Sequence, residues 1–241
     1  MTQDQEQPLI AHLIELRNRL LKSVLAVLAL FLGMFYFAND LYLILVKPLA
    51  ELLDNHGQMI ATGVASPFLV PFKLTMVLAV LLAMPYILHQ AWGFIAPGLY
   101  QHEKKFAVPL LASSVVLFYL GIVFAYFVVL PLAFGFFTLA GPEGISVMPD
   151  ISNILDFSLG MFFAFGFAFE IPVATFLLVL TGITTVEALS EKRAYIFLGC
   201  FVVGMLVTPP DVFSQTILAL PMYALFEVGV LASRVIRHEA D

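Results

Sequence analysis

Glu170 is the side chain least suited to its surroundings. It follows Phe162, Phe163, Phe165, Phe167 and Phe169 and precedes Pro172, within a stretch, 157–185, that holds no other charged residue. A charged carboxylate near the middle of a bilayer costs about 2.5–3.5 kcal/mol on insertion scales. The group is therefore either neutral and hydrogen-bonded between helices or faces a wet, protein-lined recess. Pro172 has no N–H for the carbonyl of Ala168, which adds a polar acceptor and a bend beside the acid. Chemistry of other kinds lacks its residues. There is no phosphate-binding loop, dinucleotide glycine pattern, His-Glu-x-x-His or Gly-x-Ser-x-Gly, so nucleotide hydrolysis and the commoner hydrolase mechanisms are excluded. His12, His56, His89, His102 and His238 are scattered, and Cys200 is the single cysteine. Neither a thiolate metal cluster nor an intrachain disulfide is expected, and Cys200 reads as a small buried hydrophobe.

A second set of charged groups precedes the first long apolar run. Leu9, Leu13, Leu16 and Leu20 recur at i, i+4, i+7 and i+11, the stripe of an amphipathic helix. At about 100° per residue His12, Glu15 and Arg19 share one polar flank and Arg17 lies on the other side of the stripe. An interfacial anchor with a Glu15–Arg19 surface pair is the plain reading of this segment. Farther along, Phe94-Ile95-Ala96-Pro97-Gly98-Leu99-Tyr100-Gln101-His102-Glu103-Lys104-Lys105 places a Pro-Gly turn before an acid. Glu103 is well placed there as a first-turn acid of the following helix.

The elements that must position these groups follow from the scarcity of charge. Of 241 residues, 61% are hydrophobic and only 12% charged, with mean hydropathy +1.00, against about 45–50% and about 25% in soluble domains. That composition excludes a water-soluble globule. The net charge of −6 offers no basic field for nucleic acid. Long uncharged intervals predict six membrane-spanning helices in a single domain over 1–241, at about 22–40, 72–92, 107–130, 156–181, 194–208 and 212–232. Proline-rich turns are expected around Pro48, Pro67 and Pro71, around Pro131, Pro142 and Pro149, and at Pro209-Pro210. The fifth span is short, roughly 22 Å at about 1.5 Å per residue against a hydrocarbon core of about 30 Å; helix five and its successor should thin the bilayer or tilt little. Lys192 and Arg193 snorkelling would instead lengthen the fifth.

Orientation follows the cations. Arg17, Arg19, Lys22, Lys104, Lys105, Lys192, Arg193, Arg234 and Arg237 fall on one side and Lys47 and Lys73 on the other. Nine against two predicts both ends in the cytoplasm. Residues 1–22 are too polar for a cleaved signal peptide, so the first span is expected to be retained.

Four motifs in order, His12-Leu13-x-Glu15-Leu16-Arg17-x-Arg19-Leu20, Phe94-x-x-Pro97-Gly98-Leu99-x-x-x-Glu103-Lys104, Phe169-Glu170-x-Pro172 and Thr208-Pro209-Pro210-Asp211-x-x-Ser214-Gln215, resemble those of the TatC family, the polytopic receptor of the twin-arginine protein translocase. The resemblance implies an all-α membrane protein of six helices, both ends inside, with short fifth and sixth helices in a concave, cupped bundle. It also implies a cytoplasmic receptor for signal peptides with paired arginines, exporting folded cargo across the bacterial inner membrane on the proton gradient. Its partners would be single-span subunits of the TatA and TatB type, the bilayer and further copies of the chain, with no enzyme activity, cofactor or metal. A guanidinium is planar, always charged and pairs best with carboxylates, which suits Glu15 and Glu103. By the resemblance, Glu15 and Glu103 bind the signal peptide, with Leu9, Leu16, Arg17, Phe94, Pro97, Leu99 and Tyr100 around them. Glu170, Asp211 and Gln215 are the polar and partner positions, Asp211 doubling as a helix cap. Pro48 belongs to an outer loop important for assembly, or is a plain helix terminator; the loop itself could form a short interfacial helix.

Two other classes fit the residues less well. A proton-coupled small-molecule transporter would use Glu170, but the chain shows no internal repeat and one deep acid, where transporters commonly have inverted halves. An intramembrane enzyme lacks a nucleophile and a metal set.

Overall fold

A chain this apolar satisfies its backbone inside lipid only by forming helices, and the computed structural model is helical almost throughout. It describes residues 3–52, 60–95, 107–139, 150–207 and 212–240. Helix α1 spans Gln3–Met34 and passes through a 3-10 turn, Phe35–Phe37, into α2, Ala38–Leu52. Then come α3 (Ser66–Ile95), α4 (Ala107–Phe124), a π-helical turn (Ala125–Val129) and α5 (Leu130–Leu139). The second half comprises α6 (Ile151–Ala168), α7 (Ile171–Leu180), α8 (Val186–Glu191), α9 (Arg193–Val207) and α10 (Val212–Ala240).

Five stretches are long and apolar enough to cross a membrane: Ile10–Leu45, Ser66–Phe94, Val108–Phe137, Ile151–Leu180 and Val212–Arg234; the apolar α9 is shorter. This is the expected set of six in the expected order. The short fifth helix is 15 residues long. Its successor is not short: α10 runs for 29 residues.

Several prolines do not break the chain where a turn was expected. Pro67 sits in the first turn of α3, where its missing N–H has no intrahelical partner to lose, and Pro71 and Pro85 lie inside the same helix. Thr75 Oγ1 donates to the Pro71 carbonyl at 2.8 Å. Pro48 does not terminate α2, which continues to Leu52, so the helix that holds it starts well before the loop that the sequence suggests. Pro131 is likewise absorbed. The π turn just before it widens the backbone, with Leu130 N–H donating to the Ala125 carbonyl, which makes room for a ring that would clash in a regular α turn.

The core forms where α3, α4, α6 and α10 meet. Leu74, Phe118, Leu130, Leu155, Met161, Phe165 and Leu218 are all at most 1% exposed. Helix α1 packs chiefly on α3, α4 on α6, and α10 on α7 and α9. These contacts rely on small residues, as expected where lipid supplies no hydrophobic drive between helices. A Cβ on Gly121 would lie 2.3 Å from the Phe165 carbonyl oxygen, one on Gly166 would strike the Phe118 ring at 2.6 Å, and one on Gly229 would meet Pro172 Cα at 2.8 Å.

Candidate functional site

The stripe Leu9, Leu13, Leu16, Leu20 does form one long helix with the first span, and the polar flank predicted for it faces the end of α3. Arg19 is the centre of that junction. Its Nε and Nη2 both donate to Glu15 Oε1, at 2.9 and 2.7 Å. Nη2 also donates to the Gly93 carbonyl at 2.9 Å, and Nη1 to Gln90 Oε1 at 3.5 Å. Gly93 makes this approach possible, because a Cβ there would lie 2.4 Å from Arg19 Nη1. One turn away the His12 ring stacks on Phe94, centroids 4.1 Å apart and planes within 20°. The result is a polar latch between α1 and α3 that is only partly buried: Arg19 and Glu15 side chains are 26% and 38% exposed.

Of the residues expected to bind a signal peptide, the structure thus gathers Glu15 and Phe94 at one junction. Leu16 is half-buried beside them and Arg17 is exposed, its Nη2 donating to Asn18 Oδ1 at 3.3 Å. Pro97, Leu99, Tyr100 and Glu103 lie outside the described residues, as does Asp211; Leu9 and Pro48 lie in helices whose side chains there are not described. Arg19 and Gln90 were not singled out as site residues. The i, i+4 spacing of Glu15 and Arg19 was a visible signal for one, whereas nothing local marks Gln90.

Glu170 occupies the place where the fourth span breaks. Helix α6 ends at Ala168 and α7 begins at Ile171, with Pro172 in its first turn. The helix is interrupted just before Pro172, where a bend is expected. The small-residue contacts set the register of α4 against this segment: Gly121 meets Phe165 and Phe118 meets Gly166. Continuing that antiparallel order brings Ser114, 1% exposed, alongside Glu170, with its hydroxyl in reach of the carboxyl. Glu170 Oε1 is buried with no hydrogen-bond partner among the described residues.

The residues on either side of Glu170 face an apolar groove. Ala168 and Ile171 line this groove, of about 580 Å³, together with Phe163, Phe167, Val203 and Leu206. The acid's polar contact is instead with α4. Nor do Glu170 and Gln215 share a site. Pro172 packs on Gly229, whereas Gln215 packs on Gly204 of α9. Those two points on α10 are about 21 Å apart at 1.5 Å per residue.

Two further polar clusters escaped the sequence reading. Arg193 Nη2 donates to Glu227 Oε2 at 2.7 Å, and Tyr223 Oη donates to Glu227 Oε1 at 2.8 Å. At the other end of the bundle, Asp150, only 8% exposed, caps α6 by accepting from Ser152 N at 2.7 Å and also takes Thr62 N at 2.8 Å and the Thr62 hydroxyl. The Thr62 hydroxyl and amide, with the cap amides, hold the Asp150 carboxyl well below the usual carboxylate range. Nearby, Lys73 Nζ pairs with Asp156 at 2.6 Å. Among the described residues no cluster of three or more His, Cys, Asp or Glu side chains could hold a metal ion.

Comparison with known proteins gives one consistent result. The family described as "Sec-independent protein translocase protein (TatC)" matches residues 11–221. The TatC protein of Azotobacter chroococcum is 61% identical over 238 residues, which are 99% of this chain and 93% of that one. That of Escherichia coli K12 is 56% identical over 234 residues, 97% and 91% of the two chains. A crystal structure of the twin arginine translocase receptor TatC superposes with a TM-score of 0.82 at 36% identity, covering 93% of this chain and 98% of that one.

Proposed function

Because the chain belongs to the TatC family of Sec-independent protein translocase components, a multi-pass membrane protein of a transport system, we propose that it binds signal peptides carrying paired arginines at the α1–α3 junction. In this reading Glu15 and Glu103 are the arginine acceptors. Leu16, Arg17, Phe94, Pro97, Leu99 and Tyr100 surround them, and Leu9 lies one turn or more before. The junction lies on the cytoplasmic side, with both chain ends, in the bacterial inner membrane. The observation that carries the reading is the Glu15 carboxylate itself. It is fixed on a rigid helix, partly exposed, and already holds one guanidinium in a two-donor contact at 2.7 and 2.9 Å, so its geometry suits the group a signal peptide would offer.

A half-exposed charge pair contributes under 1 kcal/mol, so two acids do not hold cargo by themselves. The apolar part of the signal peptide supplies the rest by burying its own surface. Single-span subunits of the TatA and TatB type assemble with this chain, which forms a homo-oligomer within that complex. Glu170, Asp211 and Gln215 serve the partner contacts, Pro48 the assembly of the outer loop, and the proton gradient drives transport of folded cargo.

The test compares an Arg-Arg signal peptide with its Lys-Lys counterpart. Glu103→Lys and Glu15→Lys should each weaken the Arg-Arg peptide far more than the Lys-Lys control. Equal loss for both peptides would mean a general structural defect and would remove the two acids from the site.

A further inference from the structure

The α1–α3 latch raises a question of occupancy. An arginine binds a carboxylate best when its fork uses both oxygens, yet Glu15 Oε1 already accepts two N–H bonds from Arg19. An incoming guanidinium would meet a carboxylate whose nearer oxygen is filled and whose charge is offset by the receptor's own cation. The surroundings add to this: between positions 15 and 22 the chain carries Arg17, Arg19 and Lys22 against the single acid Glu15, with Arg17 and Lys22 exposed. As it stands, this surface repels a peptide bearing two arginines.

We propose that Arg19 is a built-in competitor for the signal peptide: its guanidinium occupies Glu15 in the empty receptor and is displaced by the peptide's arginine, which opens the latch on Gln90 and Gly93. The proposal rests on Glu15 being an arginine acceptor. One feature makes displacement practicable, and a second ties it to α3. The pair is partly exposed, so water compensates a departing guanidinium, and such pairs contribute little net free energy. The second anchor of Arg19 is a backbone carbonyl, on Gly93, beside which a Cβ would leave no room; the contact is therefore specific to an arginine reaching across from α1. Displacement frees the carbonyl and the half-filled amide of Gln90 at the last turn of α3, directly before the segment that carries Pro97 to Glu103. Arrival of a signal arginine thus becomes a change in how α1 is tied to α3.

The experiment measures dissociation constants of an Arg-Arg signal peptide for the full chain in lipid nanodiscs. The variants are Arg19→Gln, Gly93→Ala, Glu15→Gln and the Arg19→Gln/Glu15→Gln double. Arg19→Gln should tighten binding roughly two- to five-fold, the weight of one partly exposed ion pair, and the gain should vanish in the Glu15→Gln background. Gly93→Ala keeps both charges but drives the guanidinium off its carbonyl anchor, so it should tighten binding by less, in the same direction. It also decides the matter if Arg19→Gln does not yield a monodisperse protein. If Arg19→Gln and Gly93→Ala leave binding unchanged or weaker while Glu15→Gln weakens it, Arg19 is no competitor and the acceptor role of Glu15 stands. If Glu15→Gln has no effect in either background, the acceptor role falls and this proposal with it.

Discussion

At the α1–α3 junction the Glu15 side chain is 38% exposed and carries a guanidinium on one oxygen. At the α6–α7 break Glu170 has one oxygen buried without a partner among the described residues and a serine beside the carboxyl. The two glutamates differ in what replaces water. Glu15 can trade one cation for another, because solvent stabilises every intermediate arrangement and the pair itself contributes little. Glu170 has no second charge to trade for, since the helices around it are held by interlocked glycines and aromatic rings and its neighbours line an apolar groove. Exchangeable contacts suit recognition, and fixed ones suit a permanent polar mark within the bilayer.

The tight packing that positions Glu170 is the part most sensitive to substitution. Gly121→Ala places a Cβ 2.3 Å from a backbone oxygen of α6, so the helices must separate, at a cost of about 1–3 kcal/mol or more. Gly33→Ala, with nothing within 4 Å, should be neutral or slightly stabilising. Thermal unfolding of the two purified variants measures the contrast, and equal behaviour would erase the difference in packing between α1 and the α4–α6 pair. Next in size is Glu170 itself. Glu170→Ala leaves the Ser114 hydroxyl without its carboxyl partner, a loss of about 1–3 kcal/mol, and should abolish export of a folded reporter. Glu170→Gln keeps a hydrogen-bonding group and should preserve it. If both fail alike, the charge and not the hydrogen bond is what matters.

Asp150 offers a third acid, at the opposite end from Glu15. Its folded carboxyl lies below the usual range, so the stability it contributes is fully present above about pH 4 and is lost as pH falls below that value toward the folded one. Asp150→Asn should therefore be less stable than the parent at neutral pH, with the gap narrowing as the buffer is taken from pH 6 to pH 3. A gap independent of pH would show that Thr62 and the cap amides do not favour the ionised form. Smallest of all is the expected change in unfolding free energy for Glu15→Gln, under 1 kcal/mol. A large one would mean that the latch is structural and not exchangeable.

Much of this architecture was legible from where the charges are absent. Six apolar intervals, the short α9 and the break before Pro172 follow from lipid's demand that every backbone group be satisfied within its own segment. The Glu15–Arg19 pair was legible too, being one helical turn apart. The same demand explains why Pro48, Pro71 and Pro131 do not end their helices: a chain in lipid continues as a helix through a proline, and at Pro131 a π turn accommodates the ring. Contacts between distant segments left no local trace. Arg19 reaches Gly93 across 74 positions, and Ser114 meets Glu170 only through the register that Gly121 and Gly166 impose.

The central claim is that Glu15 receives an arginine of the signal peptide. A photoreactive group at position 15, in the full chain in its native membrane, tests it most directly. The account predicts a crosslink to the Arg-Arg segment of the peptide, competed away by unlabelled Arg-Arg peptide and not by the Lys-Lys form. Absence of that crosslink, while probes elsewhere on the chain still capture the peptide, would contradict it.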